Sequence, residues 1–196
     1  MSRSHAYVAD GNRSTTFFAL GLLGLLSGVA LGELQGALGY TLPSWLDVPG
    51  AFGFAGLYFV LWDRYLWRAR PFRWLLNATP NISGRWSVEL RSSYDGHTSV
   101  IVGAVTIRQT WTRISISFVA TQSQSCSVAA SLVQSATGWA LLYHYDNAPD
   151  AAAPASMERH DGTAWLEFSN DLHTANGHYF TGRGRMTQGS LHLTRS

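Results

Sequence analysis

Arginine and aromatic side chains recur together in the second half of this sequence. Arg108 and Trp111 end one alternating stretch, and Arg113 begins the next. Tyr143, His144 and Tyr145 are consecutive, Arg159 and His160 precede Gly162, and Tyr179, Arg183 and Arg185 alternate, as residues on one face of a strand would. Arginine bonds phosphate in a bidentate way and an aromatic ring stacks on a base, so this pairing suits a nucleotide ligand. The plainer alternative is that the rings are core or rim residues and the arginines surface charges. The candidate ligand-binding set is Arg108, Trp111, Tyr143, Tyr145, His160, Tyr179, Arg183 and Arg185, with Arg183 and Arg185 beside Tyr179 its strongest members.

Catalytic chemistry has less to stand on. His144, His160, His173 and His178 are spread over different stretches, without a paired metal-ligand spacing. No nucleophile elbow surrounds any serine. Gly182-Arg183-Gly184-Arg185 looks like part of a phosphate loop, but it lies in a strand pattern and lacks the βαβ context. The expectation is a protein that is not an enzyme, with no catalytic residue, no metal and no cofactor. All 14 basic residues are arginine, and from residue 81 onward eight of them balance eight acids. A formally neutral region argues against gripping a nucleic-acid polymer through many phosphates, while leaving room for a few arginines around one small anion. The lone Cys126 excludes an internal disulfide framework and fits a reducing compartment.

The elements that must position these groups are strands. From residue 81 the hydrophobic period is two: Trp86, Val88 and Leu90 share a face, as do Ile101, Val105 and Ile107, then Ile114, Ile116 and Phe118, then Cys126, Val128, Ala130 and Leu132. Trp139, Leu141, Tyr143 and Tyr145 form another set, and Thr163–Phe168, His178–Met186 and Ser190–Thr194 complete eight predicted strands, joined by turns such as Tyr94-Asp95-Gly96. Eight sequential strands suit an antiparallel sandwich or an up-and-down barrel, and a barrel of that number can enclose one small ligand.

The first third is different. Phe17–Tyr40 is apolar apart from Glu33 and Gln35; as a helix it is about 36 Å long, enough for a hydrocarbon core of about 30 Å. A second segment runs from Pro49 to Trp67, with Asp47 as a candidate cap and Trp62, Tyr65 and Trp67 suited to a membrane interface. A cleaved signal peptide is the rival for the first segment, but it leaves the second unexplained. Arg3 and Arg13 precede the pair and Arg64, Arg68, Arg70 and Arg73 follow it, with none between residues 41 and 48. The positive-inside bias then predicts a multi-pass membrane protein with both termini and the β-domain cytoplasmic. Gly24, Gly28, Gly32 and Gly36 repeat every four residues, with Gly21 and Gly39 in the same sector of about 120°. Such a stripe lets helices pack closely, either on the second helix or between copies of the protein.

The order of these features resembles a known family, the two-transmembrane, β-strand-rich effectors of the cyclic-oligonucleotide-based antiphage signalling systems (CBASS). The resemblance is carried by residues 80–86 (PNISGRW), 92–95 (SSYD), 107–111 (IRQTW), 142–149 (LYHYDNAP), 160–164 (HDGTA) and 177–183 (GHYFTGR), in that order behind the apolar pair. It implies a compact β-barrel that senses a cyclic dinucleotide made by a partner nucleotidyltransferase, ligand-induced homo-oligomerisation, and disruption of the lipid bilayer of the inner membrane. The expected organisation is a cytoplasmic tail at 1–16, a two-helix transmembrane hairpin at 17–67, a juxtamembrane linker at 68–80 and an eight-stranded antiparallel β-barrel at 81–196. A membrane-tethered, lipocalin-like barrel holding a lipid or other apolar ligand is the alternative; a mostly apolar interior would favour it, and an inert membrane adaptor is a third reading.

Overall fold

The computed structural model describes residues 4–11, 13–39, 44–69, 71–72, 76, 79–120, 123–149, 159–182 and 186–196, with main chain only at 44–49 and 51. They fall into two units, Met1–Asp10 with Pro80–Ser196, and Gly11–Thr79. In chain order the elements are β1 (His5–Ala6), β2 (Val8–Ala9), α1 (Arg13–Leu38), α2 (Ser44–Arg64), β3 (Gly84–Ser92), β4 (Ile101–Gln109), β5 (Arg113–Ala120), β6 (Ser123–Ser135), β7 (Gly138–Pro149), β8 (His160–Phe168), β9 (Thr174–Thr181) and β10 (Gln188–Arg195).

From β3 to β10 each strand pairs antiparallel with the next, and β10 returns to β3 through the register Gly189↔Ser92 to Arg195↔Trp86. Of the two architectures open to an eight-strand meander, the chain adopts the closed one, which removes the free sheet edges that a sandwich would leave. The alternation places Trp86, Val88, Val105, Ile107, Ile114, Ile116, Leu141 and Tyr143 inside.

Two strands depart from the sequence pattern. In β6 a bulge lies between Ser127 and Ala129, so the extra residue swaps faces along the strand. Ser125 and Ser127 are buried before it and Leu132 after it, whereas Val128 is exposed. The predicted set Cys126–Val128–Ala130–Leu132 is therefore not one face. In β9 the strand starts at Thr174 and ends at Thr181, rather than spanning His178–Met186. Asn176-Gly177, a turn signal in the sequence, lies within it, and a Cβ at Gly177 would run into the main chain of Trp165. The Gly is there for close strand approach, not for a turn.

Closure at β5–β6 involves a segment far away in sequence. These strands pair directly only from Ser117↔Cys126 to Val119↔Gln124. Where they diverge, β1 pairs with β5 (His5↔Ile114, Ala6↔Arg113) and β2 runs parallel to β6 (Val8↔Ser131, Ala9↔Leu132). Residues expected to stand as a free tail thus form a strap across the seam. Tyr7 enters the core, and its hydroxyl donates to the Thr110 carbonyl at 3.3 Å. The buried Gln109 amide ties the strap to the entrance of β3: Nε2 donates to Tyr7 Oη (3.0 Å) and to the Pro80 carbonyl (3.1 Å), and Oε1 accepts from Ile82 N–H (3.0 Å). Each of these polar groups is satisfied, as burial requires.

In the second unit α1 is long and apolar enough to cross a membrane, and most of its large apolar side chains are exposed. α2 opens at Ser44, ahead of Asp47, so its 21 residues span about 32 Å. The two helices touch through stacked Phe17 and Phe59 (5.9 Å) and through Ser27 Oγ and Tyr58 Oη (2.8 Å). A Cβ at Gly24 would clash with Ala55, whereas Gly21, Gly32 and Gly36 have open space at that position. Trp62 and Trp67 are buried and only Tyr65 of the three interface aromatics is exposed.

Candidate functional site

The barrel is filled unevenly along its axis. Toward the β4–β5, β6–β7 and β8–β9 turns, Trp86, Ile107, Leu132, Leu141, Leu166 and Phe168 pack it solid, with Trp86 edge-on to Phe168 at 5.5 Å. Toward the other end the inward residues become smaller or polar and leave a cavity of about 440 Å³. That lies within the roughly 300–1,000 Å³ of small-molecule sites. Its floor is Val88, Val105, Ala164 and Leu193; its walls include Phe118, Tyr143, Tyr145 and Tyr179; Ser92, Ser125, Asn147, His160 and Thr181 line the mouth.

The aromatic walls stand where glycines make room for them. Tyr145 is opposite Gly162 in the β7–β8 register, and Tyr179 is opposite Gly189 in the β9–β10 register. A Cβ at Gly162 would overlap the Tyr145 ring, one at Gly189 the Tyr179 ring, and one at Gly103 the Phe118 ring. Each inward glycine thus lets a neighbouring ring lie against the barrel wall instead of filling the lumen. Gly162→Ala is expected to cost about 1–3 kcal/mol through overpacking, a fall in melting temperature of roughly 5–15 °C. Gly182→Ala is the control, since its Cβ would stand 3.5 Å from the Asp161 carboxylate, an ordinary contact. Equal melting of the two variants would refute the seating argument.

Four of the eight sequence candidates, Tyr143, Tyr145, His160 and Tyr179, line the cavity together. Trp111 is fully buried at the packed end, and Arg108 is exposed on β4; neither lines the cavity. Arg183 and Arg185 lie outside the described residues. The connection that carries them joins Thr181 to Thr187, and both of those line the mouth, bridged by their hydroxyls at 2.9 Å. Among the described residues no arginine lines the cavity, so the expected convergence of arginines and rings is seen for the rings alone. Other polar groups near the site are engaged outside it. Arg159 chelates Asp146, and His144 Nε2 stands 3.7 Å from Asp161.

Sequence reasoning missed Ser92, Ser125, Asn147, Phe118 and the glycine seats. Asn147 was within reach, because it continues the parity of Tyr143 and Tyr145; Ser125 was hidden by the bulge. Burial pushes the Tyr143 hydroxyl pKa well up from its usual 10.0, so it stays a hydrogen-bond donor throughout the neutral range. At the mouth, hydrogen bonds from Ser99 hold the Asp95 carboxyl below its usual value, so it remains an anion. Among the described residues no group of three or more His, Cys, Asp or Glu is placed to hold a metal.

Residues 77–195 match the family model described as "Cap15, cyclic dinucleotide receptor domain". Over 148 residues the chain is 36% identical to the CD-NTase-associated protein 15 of Yersinia aleksiciae, a match covering 72% of this chain and 67% of that relative.

Proposed function

Because the chain belongs to the Cap15 cyclic dinucleotide receptor family, we propose that its barrel cavity binds a cyclic dinucleotide and that the protein is a membrane effector of a CBASS antiphage system. The observation that carries the binding half is the cavity: one open end, a polar mouth and three tyrosines on which bases can stack. In this reading Tyr143, Tyr145, His160 and Tyr179 contact the bases, while Arg183 and Arg185 meet the phosphates. Arg108 and Trp111 take no part.

The effector half rests on the second unit and the charge pattern. α1 exposes an apolar surface, α2 is long enough to span, and arginines flank the pair without entering residues 41–48. In this reading both helices cross the inner membrane and the barrel faces the cytoplasm, where a second messenger arrives. Ligand-induced homo-oligomerisation then disrupts the bilayer. Gly32 and Gly36, which have open space on the helix surface, are suited to close contact between copies.

Titration calorimetry on the full chain in lipid nanodiscs, with a panel of cyclic dinucleotides, tests the first half. At least one ligand should bind, and Arg183→Ala/Arg185→Ala should weaken it while the protein stays folded. Binding of a fatty acid in place of every dinucleotide would transfer the site to the apolar-ligand reading, which the floor of Val88, Val105 and Leu193 also suits. For the second half, dye release from proteoliposomes should rise on adding the ligand, and Gly32→Leu/Gly36→Leu should abolish that rise while leaving affinity intact. Equal leakage with and without ligand would falsify gating.

A further inference from the structure

Two polar side chains that line the cavity mouth are largely buried and make no hydrogen bond to the described residues. Asn147 is 5% exposed and Ser125 is 7% exposed; both line the cavity, and neither has a hydrogen-bond partner among the described residues. Neither belongs to the sealed, unpartnered polar atoms of the described residues, so their polar atoms are open to the cavity and available to a ligand there. Their neighbours behave differently. Ser92 Oγ accepts from Tyr94 N–H, Ser127 Oγ bonds the His5 ring and Ile116 N–H, and the Thr181 hydroxyl bonds Thr187.

The two groups are adjacent by register. Ser125 pairs with Asn147 across β6–β7, and Asn147 pairs with His160 across β7–β8. All three point inward, so hydroxyl, carboxamide and imidazole form one row over three neighbouring strands. Asn147 is also the next inward position after Tyr145 on the same strand. A carboxamide presents a donor and an acceptor side by side, which matches the hydrogen-bonding edge of a nucleobase. A base read inside a protein pocket is held this way, by edge hydrogen bonds together with stacking on a ring.

We propose that Asn147, with Ser125 beside it, is the base-reading residue of the cavity and sets which base the bound dinucleotide carries at that position. This rests on the cavity being the dinucleotide site. It makes Asn147 a source of discrimination among ligands that share the same phosphates.

The test uses the full chain in nanodiscs and cyclic dinucleotides that contain adenine, guanine, cytosine and uracil in every pairing. Affinity is measured by calorimetry and stability by thermal melting. Asn147→Leu should lower affinity for the preferred ligand roughly ten- to hundredfold while the melting temperature holds or rises, because the side chain bonds none of the described residues. A structural role would instead lower the melting temperature. Asn147→Asp offers two acceptors in place of a donor and an acceptor, so the ranking should shift toward guanine, whose edge presents two adjacent donors. Ser125→Ala should fold as the parent does and bind the preferred ligand several-fold more weakly. If the parent binds and the Asn147 variants keep its affinity and its ranking, or lose all ligands equally, the assignment of Asn147 is overturned and the receptor reading stands. If the parent binds no member of the panel, both fall.

Discussion

A chain lacking residues 2–10 should retain its helices but hold its barrel weakly, losing about 3–5 kcal/mol of stability. The estimate has two parts: withdrawal of the buried Tyr7 side chain, about 2 kcal/mol, and loss of hydrogen-bond partners for the buried Gln109 amide and the Thr110 carbonyl, about 1–3 kcal/mol. Domains of this kind have about 5–15 kcal/mol in total, so the loss would lower the melting temperature by on the order of 10–20 °C. It would also bare the facing edges of β5 and β6, which pair directly only near Ser117–Val119. A graded series separates the contributions. Tyr7→Phe removes only the hydroxyl and should cost about 1 kcal/mol, whereas Tyr7→Ala should approach the deletion. Thermal melts of the three variants give the order, and hydrogen exchange should show protection lost first in β5 and β6. Melting at the parent temperature after the deletion would mean that the strap is ornamental. A practical consequence follows for any binding experiment: a fragment beginning at residue 81 lacks part of the barrel it is meant to represent.

That strap illustrates what a sequence conceals. Two strands of two residues each are too short to display any period, and their partners lie over a hundred residues downstream, at Ile114 and Leu132. The family model also begins at residue 77, beyond the strap. The long strands were legible because alternation repeats several times in each, as in Trp86–Val88–Leu90 and Ile114–Ile116–Phe118. Alternation failed where one extra residue entered, at Ser127–Ala129, and it took Ser125 out of view with it. In β9 the strand begins four residues before the predicted His178, and Gly177, which offers no side chain to an alternating pattern, serves close contact with the Trp165 main chain. At the site, the rings Tyr143, Tyr145 and Tyr179 were found by chemistry and proved to share a lumen. Arg108 and Trp111 were chosen by the same chemistry, but one faces outward and the other fills the packed end. Residue type alone does not say which end of a barrel is full.

Ala164→Trp should abolish ligand binding, with an affinity loss of at least about a hundredfold, or about 2.7 kcal/mol. Ala164 is fully buried, lines the cavity, and lies in register between Tyr143 on β7 and Tyr179 on β9. An indole there projects into the open lumen instead of into packed core, so the usual penalty of overpacking is relieved by new contacts with the two tyrosine rings. The melting temperature should therefore hold or rise, which distinguishes occlusion from unfolding. Val128→Trp serves as the control: Val128 is exposed on the outside of β6, and a ring there leaves the lumen unchanged. In the proposed reading, the Ala164→Trp protein in proteoliposomes should insert normally and release no dye with a dinucleotide to which the parent responds. The geometry makes this a demanding test of coupling. The chain leaves the barrel at Asp10, bonded to Leu132 and Gln134, and re-enters at Pro80, bonded to Gln109, both at the packed end, whereas the cavity lies toward the other. In the proposed reading, a side chain that denies the lumen to the ligand removes the signal at its source. Parent-like affinity in a folded Ala164→Trp protein would place the ligand outside the barrel altogether.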